Sequence, residues 1–302
     1  MRFVPLLFMF CAGGFAQTPF TVPPEIADRP ADIWSEGTRM SADVFSLKSL
    51  DGKKLPTILM AHGWGGTRAA LRPDAVGFAK AGYLVITFDY RGWGDSDSRM
   101  AKFKGQAQEV REIVDPLDFG TDWLNAIHWA AGEPQCDINR LGLWGSSFSG
   151  GLVVWAAERD SRVKALHSQV GSLDGKWVIQ NDQQRRLTYQ EATSRARGEI
   201  GYPAPGTKVL GNLKGAPIRA RFADYAPVDE VQKAPNCAMQ FVIAEKEELF
   251  DNRDNAIKAY GRVLGPKNLV TIPNITHYGI YQQARMEAFR LALQWFDKYL
   301  KP

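Results

Sequence analysis

Between Leu141 and Gly151 the chain reads Leu-Gly-Leu-Trp-Gly-Ser-Ser-Phe-Ser-Gly-Gly, an apolar strand that passes straight into a helix through small residues. A turn this abrupt tolerates little bulk on its flanks, because larger side chains would collide where the strand reverses into the helix. Ser147 stands at the apex, with Gly145 two residues before it and Ser149 two after it. The usual pattern has glycine at that last position, and serine is still small enough to permit the turn. The geometry holds the Ser147 hydroxyl above the sheet, at the first turn of a helix whose oriented N–H groups favour developing negative charge. Ser146 and Ser149 fit the spacing less well. The plainer reading of Ser147 is a helix N-cap with no chemistry.

The rest of the chain alternates in the same way. Leu55 to Ala61 is a continuous apolar strand, and Tyr83 to Asp89, Leu141 to Trp144, Val163 to Ser168, Ala238 to Ala244 and Leu269 to Ile272 read as further strands. Helical patterns lie at Thr121 to Ala131, Ser147 to Glu158, Asn255 to Leu264 and Tyr281 to Leu300. Strands joined by helix-length crossovers predict an α/β fold: a mostly parallel sheet with helices on both faces. Ile33 to Ser35, a Glu36-Gly37 turn and Met40 to Leu47 predict a leading hairpin, preceded by an extended proline-rich stretch over 17–31. From about 171 to 235 the alternation fails. A very polar helical segment, Lys176 to Arg197, and a Gly/Pro-rich stretch to Pro217 predict a small cap insertion over the active site.

Residues 1–16 differ in kind. Arg2, the apolar run Phe3 to Phe10 and the small residues Gly13, Gly14 and Ala16 predict a signal peptide removed before Gln17. The run is too short to span a bilayer. The expected mature domain, 17–302, is therefore periplasmic or secreted, with no stable membrane insertion. Net charge is +4, from 37 basic and 33 acidic residues without a basic block, which gives no footprint for nucleic acid or for an anionic membrane. Cleavage would leave Cys136 and Cys237, each just before a strand. In an oxidising compartment they read equally as a disulfide or as two separate thiols. No metal-binding spacing appears, and the oligomeric state is not legible.

Ala61-His-Gly-Trp-Gly-Gly66 follows the central apolar strand. A glycine-rich turn there can aim a backbone N–H at a substrate carbonyl, so the N–H groups of Trp64 and Phe148 are the expected oxyanion hole. A base must come from four histidines. His62 belongs to that turn, and His128 lies on an apolar helix face where a buried structural place is expected. His277 follows the last strand, where the chain order Ser, acid, His puts the imidazole; His167, at a strand end, is the alternative. The acid is expected in the turn after Ala238 to Ala244, which offers Glu245, Glu247, Glu248 and Asp251. Glu247 is the choice, with Asp251 and Glu248 behind it and Asp174 a distant alternative. Trp64, Trp93 and Phe148 read either as an apolar acyl pocket or as buried packing.

Met60-Ala-His-Gly-Trp-Gly-Gly, Phe88-Asp-Tyr-Arg-Gly-Trp-Gly-Asp-Ser, Trp144-Gly-Ser-Ser-Phe-Ser-Gly-Gly, Ala244-Glu-Lys-Glu-Glu-Leu and Thr276-His-Tyr-Gly together resemble the α/β-hydrolase superfamily over roughly 31–300. The Trp-Gly-Ser-Ser-Phe-Ser-Gly-Gly turn and Glu109-Val-Arg-Glu-Ile-Val-Asp-Pro-Leu-Asp118 resemble its dienelactone-hydrolase and X-prolyl-peptidase-like branch, a look shared by fungal polyketide transferases and hydrolases. The departures are Ser149 for glycine and a glutamate where the superfamily often has aspartate. The resemblance implies a serine hydrolase acting on a small-molecule acyl substrate, most simply a carboxylic ester, without metal or organic cofactor. Peptidase and acyltransferase activity share the same three groups and are the alternatives; a non-catalytic binding protein would be expected to have lost one of them.

Overall fold

Leu55–Ala61 is buried at all seven positions, which a strand can achieve only when both faces of its sheet are covered. The computed structural model describes residues 20–210 and 213–301, and the expected signal peptide lies outside the described residues. Eight strands form the main sheet: β1 (Ile26–Ser35), β2 (Thr38–Leu47), β3 (Leu55–Ala61), β4 (Leu84–Phe88), β5 (Cys136–Ser146), β6 (Val163–Gln169), β7 (Ala238–Ala244) and β8 (Lys267–Ile272). Their order is β1-β2-β4-β3-β5-β6-β7-β8. β1–β2 and β2–β4 pair antiparallel and every later pair is parallel, so the chain has the α/β-hydrolase arrangement.

The two faces of the sheet can be read off β3. Leu55, Leu59 and Ala61 join one core with Trp123, Ile127 and Leu152. Ile58 and Met60 join the other with Phe78, Trp295 and Phe296. Helices α2 (Pro116–Gly132) and α3 (Phe148–Ala157) thus cover one face, and α1 (Arg72–Lys80) and a C-terminal helix (Arg285–Leu300) cover the opposite one. Asp115 starts α2 by accepting the N–H groups of Leu117 and Asp118, and Pro116 sits at the first helical position, where a missing N–H costs nothing.

The structure corrects several sequence expectations. Residues 26–31 are not an extended lead-in but the first part of β1, paired from Ile26↔Leu47 onward. The hairpin turn is Glu36-Gly37, both at positive φ (47° and 75°), the geometry that matches strand twist. Tyr281 does not begin the last helix; it ends a 3-10 turn, His277–Tyr281, and the helix starts at Arg285. His128 is exposed rather than buried, its Nδ1 2.8 Å from Arg162 Nη2. A hairpin, Arg99–Phe103 with Gln106–Val110, was not foreseen. Cys136 and Cys237 are both free and buried. Cys136 begins β5 and Cys237 immediately precedes β7, with β6 between the two strands, so the thiols are about 10 Å apart, beyond disulfide reach.

The segment between β6 and β7 holds a 3-10 turn at Lys176–Ile179, helix α4 (Asp182–Ala196), short strands near 208–217 and helix α5 (Arg219–Ala223). Ala216–Pro217 pairs with Ile113–Val114, which ties the segment to the body ahead of α2.

Candidate active site

At the β5–α3 junction Ser147 adopts φ 58° and ψ −125°, a conformation that costs a non-glycine residue about 1–3 kcal/mol. Neighbouring hydrogen bonds hold it there. Ser147 N–H donates to the Gln169 carbonyl at 2.9 Å, and the Ser147 carbonyl accepts from Gly150 (2.9 Å) and Ser172 (3.1 Å). The small residues are required by contact. A Cβ on Gly145 would run into the Ser149 carbonyl, and one on Gly151 into the carbonyl of Ser172. Ser149 has its own reason to be serine: its Oγ lies 2.8 Å from the buried Tyr90 hydroxyl, which also accepts from Trp123 Nε1 at 2.9 Å. Glycine there would remove one of the two partners of a buried hydroxyl.

Ser147 Oγ is 3.0 Å from His277 Nε2. On the other side of the ring, His277 Nδ1 lies 2.9 Å from both carboxylate oxygens of Glu247. The His277 and Glu247 side chains are each only 2% exposed. The β7 turn spreads its remaining carboxylates in other directions. Glu248 accepts the His277 backbone N–H at 2.7 Å, and Glu245 accepts the Asn274 N–H at 2.7 Å. Asp251 points outward to Arg253. Asp174 accepts the Lys176 N–H.

The other histidines have different work. His167 is wholly buried, with its ring nitrogens facing Gln240 Oε1 (2.7 Å) and Gln169 Oε1 (3.3 Å), and burial pushes its pKa down to about 4. His62 Nδ1 donates to the Gly63 carbonyl at 2.9 Å, and its Nε2 faces the fully buried Asp89 at 3.5 Å. Burial is the largest influence on His62 and lowers its pKa. Asp89 is held in turn by the guanidinium and backbone N–H of Arg68. This ion pair fixes the end of β4 beside the 62–66 turn.

That turn lies against the elbow. A Cβ on Gly63 would stand 2.9 Å from both the Ser146 carbonyl and Ser147 Cβ. Trp64 follows, its indole N–H shared between the carbonyls of Lys214 (3.2 Å) and Gly215 (3.1 Å). Phe148 opens α3, where the first N–H groups have no intrahelical acceptor. The Trp64 ring stacks on Phe222 of α5 (5.7 Å, 27°), and Phe222 also meets Phe148 (5.5 Å) and Trp177 (5.7 Å). Trp93 is turned into packing instead, its indole N–H donating to the Ile113 carbonyl.

The structure thus brings together Ser147, His277 and Glu247, with Trp64 and Phe148 on the elbow's flank. A hydroxyl, an imidazole and a carboxylate in one line can pass a proton from Oγ to Nε2 while the carboxylate steadies the resulting imidazolium. Sequence reasoning missed Phe222 and Tyr281. The second was within reach, four residues after His277 in the same short helical turn. Among the described residues no group of His, Cys, Asp and Glu is arranged to hold a metal ion, and no helix is long and apolar enough to cross a membrane.

A family model for the X-Pro dipeptidyl-peptidase (S15) family matches residues 36–184. An uncharacterised 31.7 kDa protein from the traX-finO intergenic region of Escherichia coli is 28% identical over 275 residues, covering 82% of this chain and 92% of its own. The quorum-quenching protein AidA of Acinetobacter baumannii is 34% identical over 151 residues, 50% of this chain and 46% of that protein. Among solved structures, the α/β hydrolase GrgF from Penicillium superposes with a TM-score of 0.71 at 19% identity, covering 91% of this chain and 99% of its own.

Proposed function

From the α/β-hydrolase fold, with an X-Pro dipeptidyl-peptidase family model, an acyltransferase and an acetyl xylan esterase among what the chain is similar to, we propose that it is a serine hydrolase cleaving carboxylic esters through an acyl-enzyme on Ser147. The observation that carries the reading is the line from Ser147 Oγ through His277 to Glu247, with contacts of 3.0 and 2.9 Å. His277 Nε2 takes the Ser147 proton as Oγ adds to the carbonyl carbon. The N–H groups of Trp64 and Phe148 hold the oxyanion. Collapse expels the alcohol, which leaves with the proton from His277. Water then adds to the acyl carbon with His277 as base, and the acid is released. Only the chain's own groups and water take part in these steps.

Two features support an ester over a peptide with a free amino end. Such a peptide needs a spare carboxylate beside the reacting bond. Of the carboxylates in the triad turn, Glu245 and Glu248 already accept backbone N–H groups and Asp251 pairs with Arg253. Trp64 and Trp177, the accessible edge of the aromatic cluster that buries Phe148 and Phe222, suit an apolar acyl group. The leader read in residues 1–16 adds that the enzyme works outside the cytoplasm.

A p-nitrophenyl ester series from acetate to long acyl chains tests the reading, beside the matching thioesters and peptide amides. Turnover is expected on the oxygen esters, with kcat/KM varying along the series as the aromatic edge is covered. Turnover confined to peptide amides, or an ester as product instead of a free acid, would overturn the ester hydrolysis reading in favour of a peptidase or an acyltransferase.

A further inference from the structure

A buried polar chain that the mechanism above does not use runs along the sheet to Ser147. It begins at Gln240 on β7, passes through His167 and Gln169 on β6, and reaches Ser146 at the end of β5. Ser146 Oγ then lies 2.7 Å from Tyr281 Oη. Ser146 immediately precedes Ser147, so this bond sets the Tyr281 hydroxyl beside the nucleophile. Gln240, His167, Gln169 and Ser146 are all under 5% exposed. So many polar groups buried in a parallel sheet are costly unless each is bonded, and the ending of this chain at the nucleophile calls for a function.

The donors have a direction. Gln169 Nε2 donates to Ser146 Oγ at 3.1 Å, while the neutral His167 ring has a single N–H for its two amide neighbours, Gln240 and Gln169. Ser146 can then pass its own proton toward Tyr281 Oη, which leaves the phenolic O–H free for Ser147. Tyr281 occupies the last position of the 3-10 turn that begins with His277, and the two rings lie 6.3 Å apart. The outer part of the Tyr281 ring is exposed, while its hydroxyl is directed inward to the elbow.

Resting on the serine hydrolase reading, we propose that Tyr281 is a fourth catalytic residue, whose O–H donates to Ser147 Oγ and stabilises that oxygen as the leaving group when the acyl-enzyme is hydrolysed. In that step water adds to the acyl carbon and yields its proton to His277 Nε2. The C–Oγ bond then breaks, and the same proton passes from Nε2 to Oγ. Tyr281 keeps its proton throughout, as burial favours by pushing the phenol up to about 12. Because its hydrogen bond is to the oxygen that departs, deacylation depends on Tyr281 more than acylation does.

Pre-steady-state hydrolysis of p-nitrophenyl butyrate by Tyr281→Phe tests this. The steady-state kcat is expected to fall about tenfold, the loss of one hydrogen bond to a developing charge. KM should fall with it, kcat/KM should stay within about threefold, and the burst should rise toward one equivalent of nitrophenol per enzyme. Ser146→Ala, which removes the donor behind the phenol but keeps the ring, should give the same pattern to a smaller degree, and it stands in if the first variant does not fold. An unchanged kcat, or a parallel loss in the burst rate and in kcat/KM, would overturn the role. Fluorophosphonate labelling separates this from failure of the serine hydrolase reading: a wild-type enzyme labelled at Ser147 with an unchanged Tyr281→Phe overturns the tyrosine alone, whereas an unlabelled wild-type enzyme overturns both.

Discussion

Ser147→Ala is expected to lower kcat on a p-nitrophenyl ester by about a million-fold while leaving the protein folded. The size of the loss follows from the geometry. His277 Nε2 has Ser147 Oγ as its partner at 3.0 Å, and without that oxygen no acyl-enzyme can form. What remains is rate enhancement by the oxyanion groups acting on a water molecule, about 10³–10⁴ over solution. The fold should survive because the elbow is held through the main chain, by the bonds of Ser147 N–H and carbonyl to Gln169, Gly150 and Ser172. Alanine meets the same positive φ as serine, so the strain is unaltered. Rate assays paired with a thermal melt check both halves, with the melting temperature expected within about 2 °C of wild type, the span of about 1 kcal/mol in a chain of this size.

Glu247→Gln is expected to cost about 10³–10⁴-fold in kcat, with KM nearly unchanged. Both oxygens of Glu247 stand 2.9 Å from His277 Nδ1, and Oε1 also accepts the Leu249 N–H at 3.1 Å. A glutamine in that place keeps its carbonyl oxygen on the Leu249 amide, which turns its NH₂ toward Nδ1. The imidazole then has to accept at Nδ1 and carry its proton on Nε2, the nitrogen that must take the proton of Ser147. Loss of the negative charge removes the imidazolium's stabilisation as well. Glu248→Gln is the matched control. Its oxygen accepts a backbone N–H of His277, a role that an amide carbonyl also fills, so kcat should fall only a few-fold. Steady-state kinetics on both variants decide between the neighbouring carboxylates.

Much of this was legible because steric demands write themselves into the sequence. The run of small residues around Ser147 exists because a Cβ on Gly145 or Gly151 would strike backbone, and the apolar strand Leu55–Ala61 because both faces of the sheet are covered. The choice of acid was less legible. Four carboxylates occupy the stretch from Glu245 to Asp251, and only the shape of the turn sends Glu247 inward, Glu248 to a main-chain N–H and Asp251 out to Arg253. His128 looked buried because the residues around it are apolar; the covered stripe runs through Phe119, Trp123, Ala126, Ile127 and Ala130 and leaves His128 to one side. Tyr281 was hidden by the helical pattern after it, which runs back across the 3-10 turn without a change in composition. Its bond to Ser146 joins residues 135 apart in the chain, a contact that no local pattern encodes.

The central claim is that Ser147 is a nucleophile activated by His277, and stoichiometric labelling with a fluorophosphonate, mapped by peptide mass, tests it most directly. The account predicts one adduct per chain, located on Ser147, with labelling slowed by several orders of magnitude in His277→Ala. Labelling at another residue, or at an equal rate without His277, would contradict it.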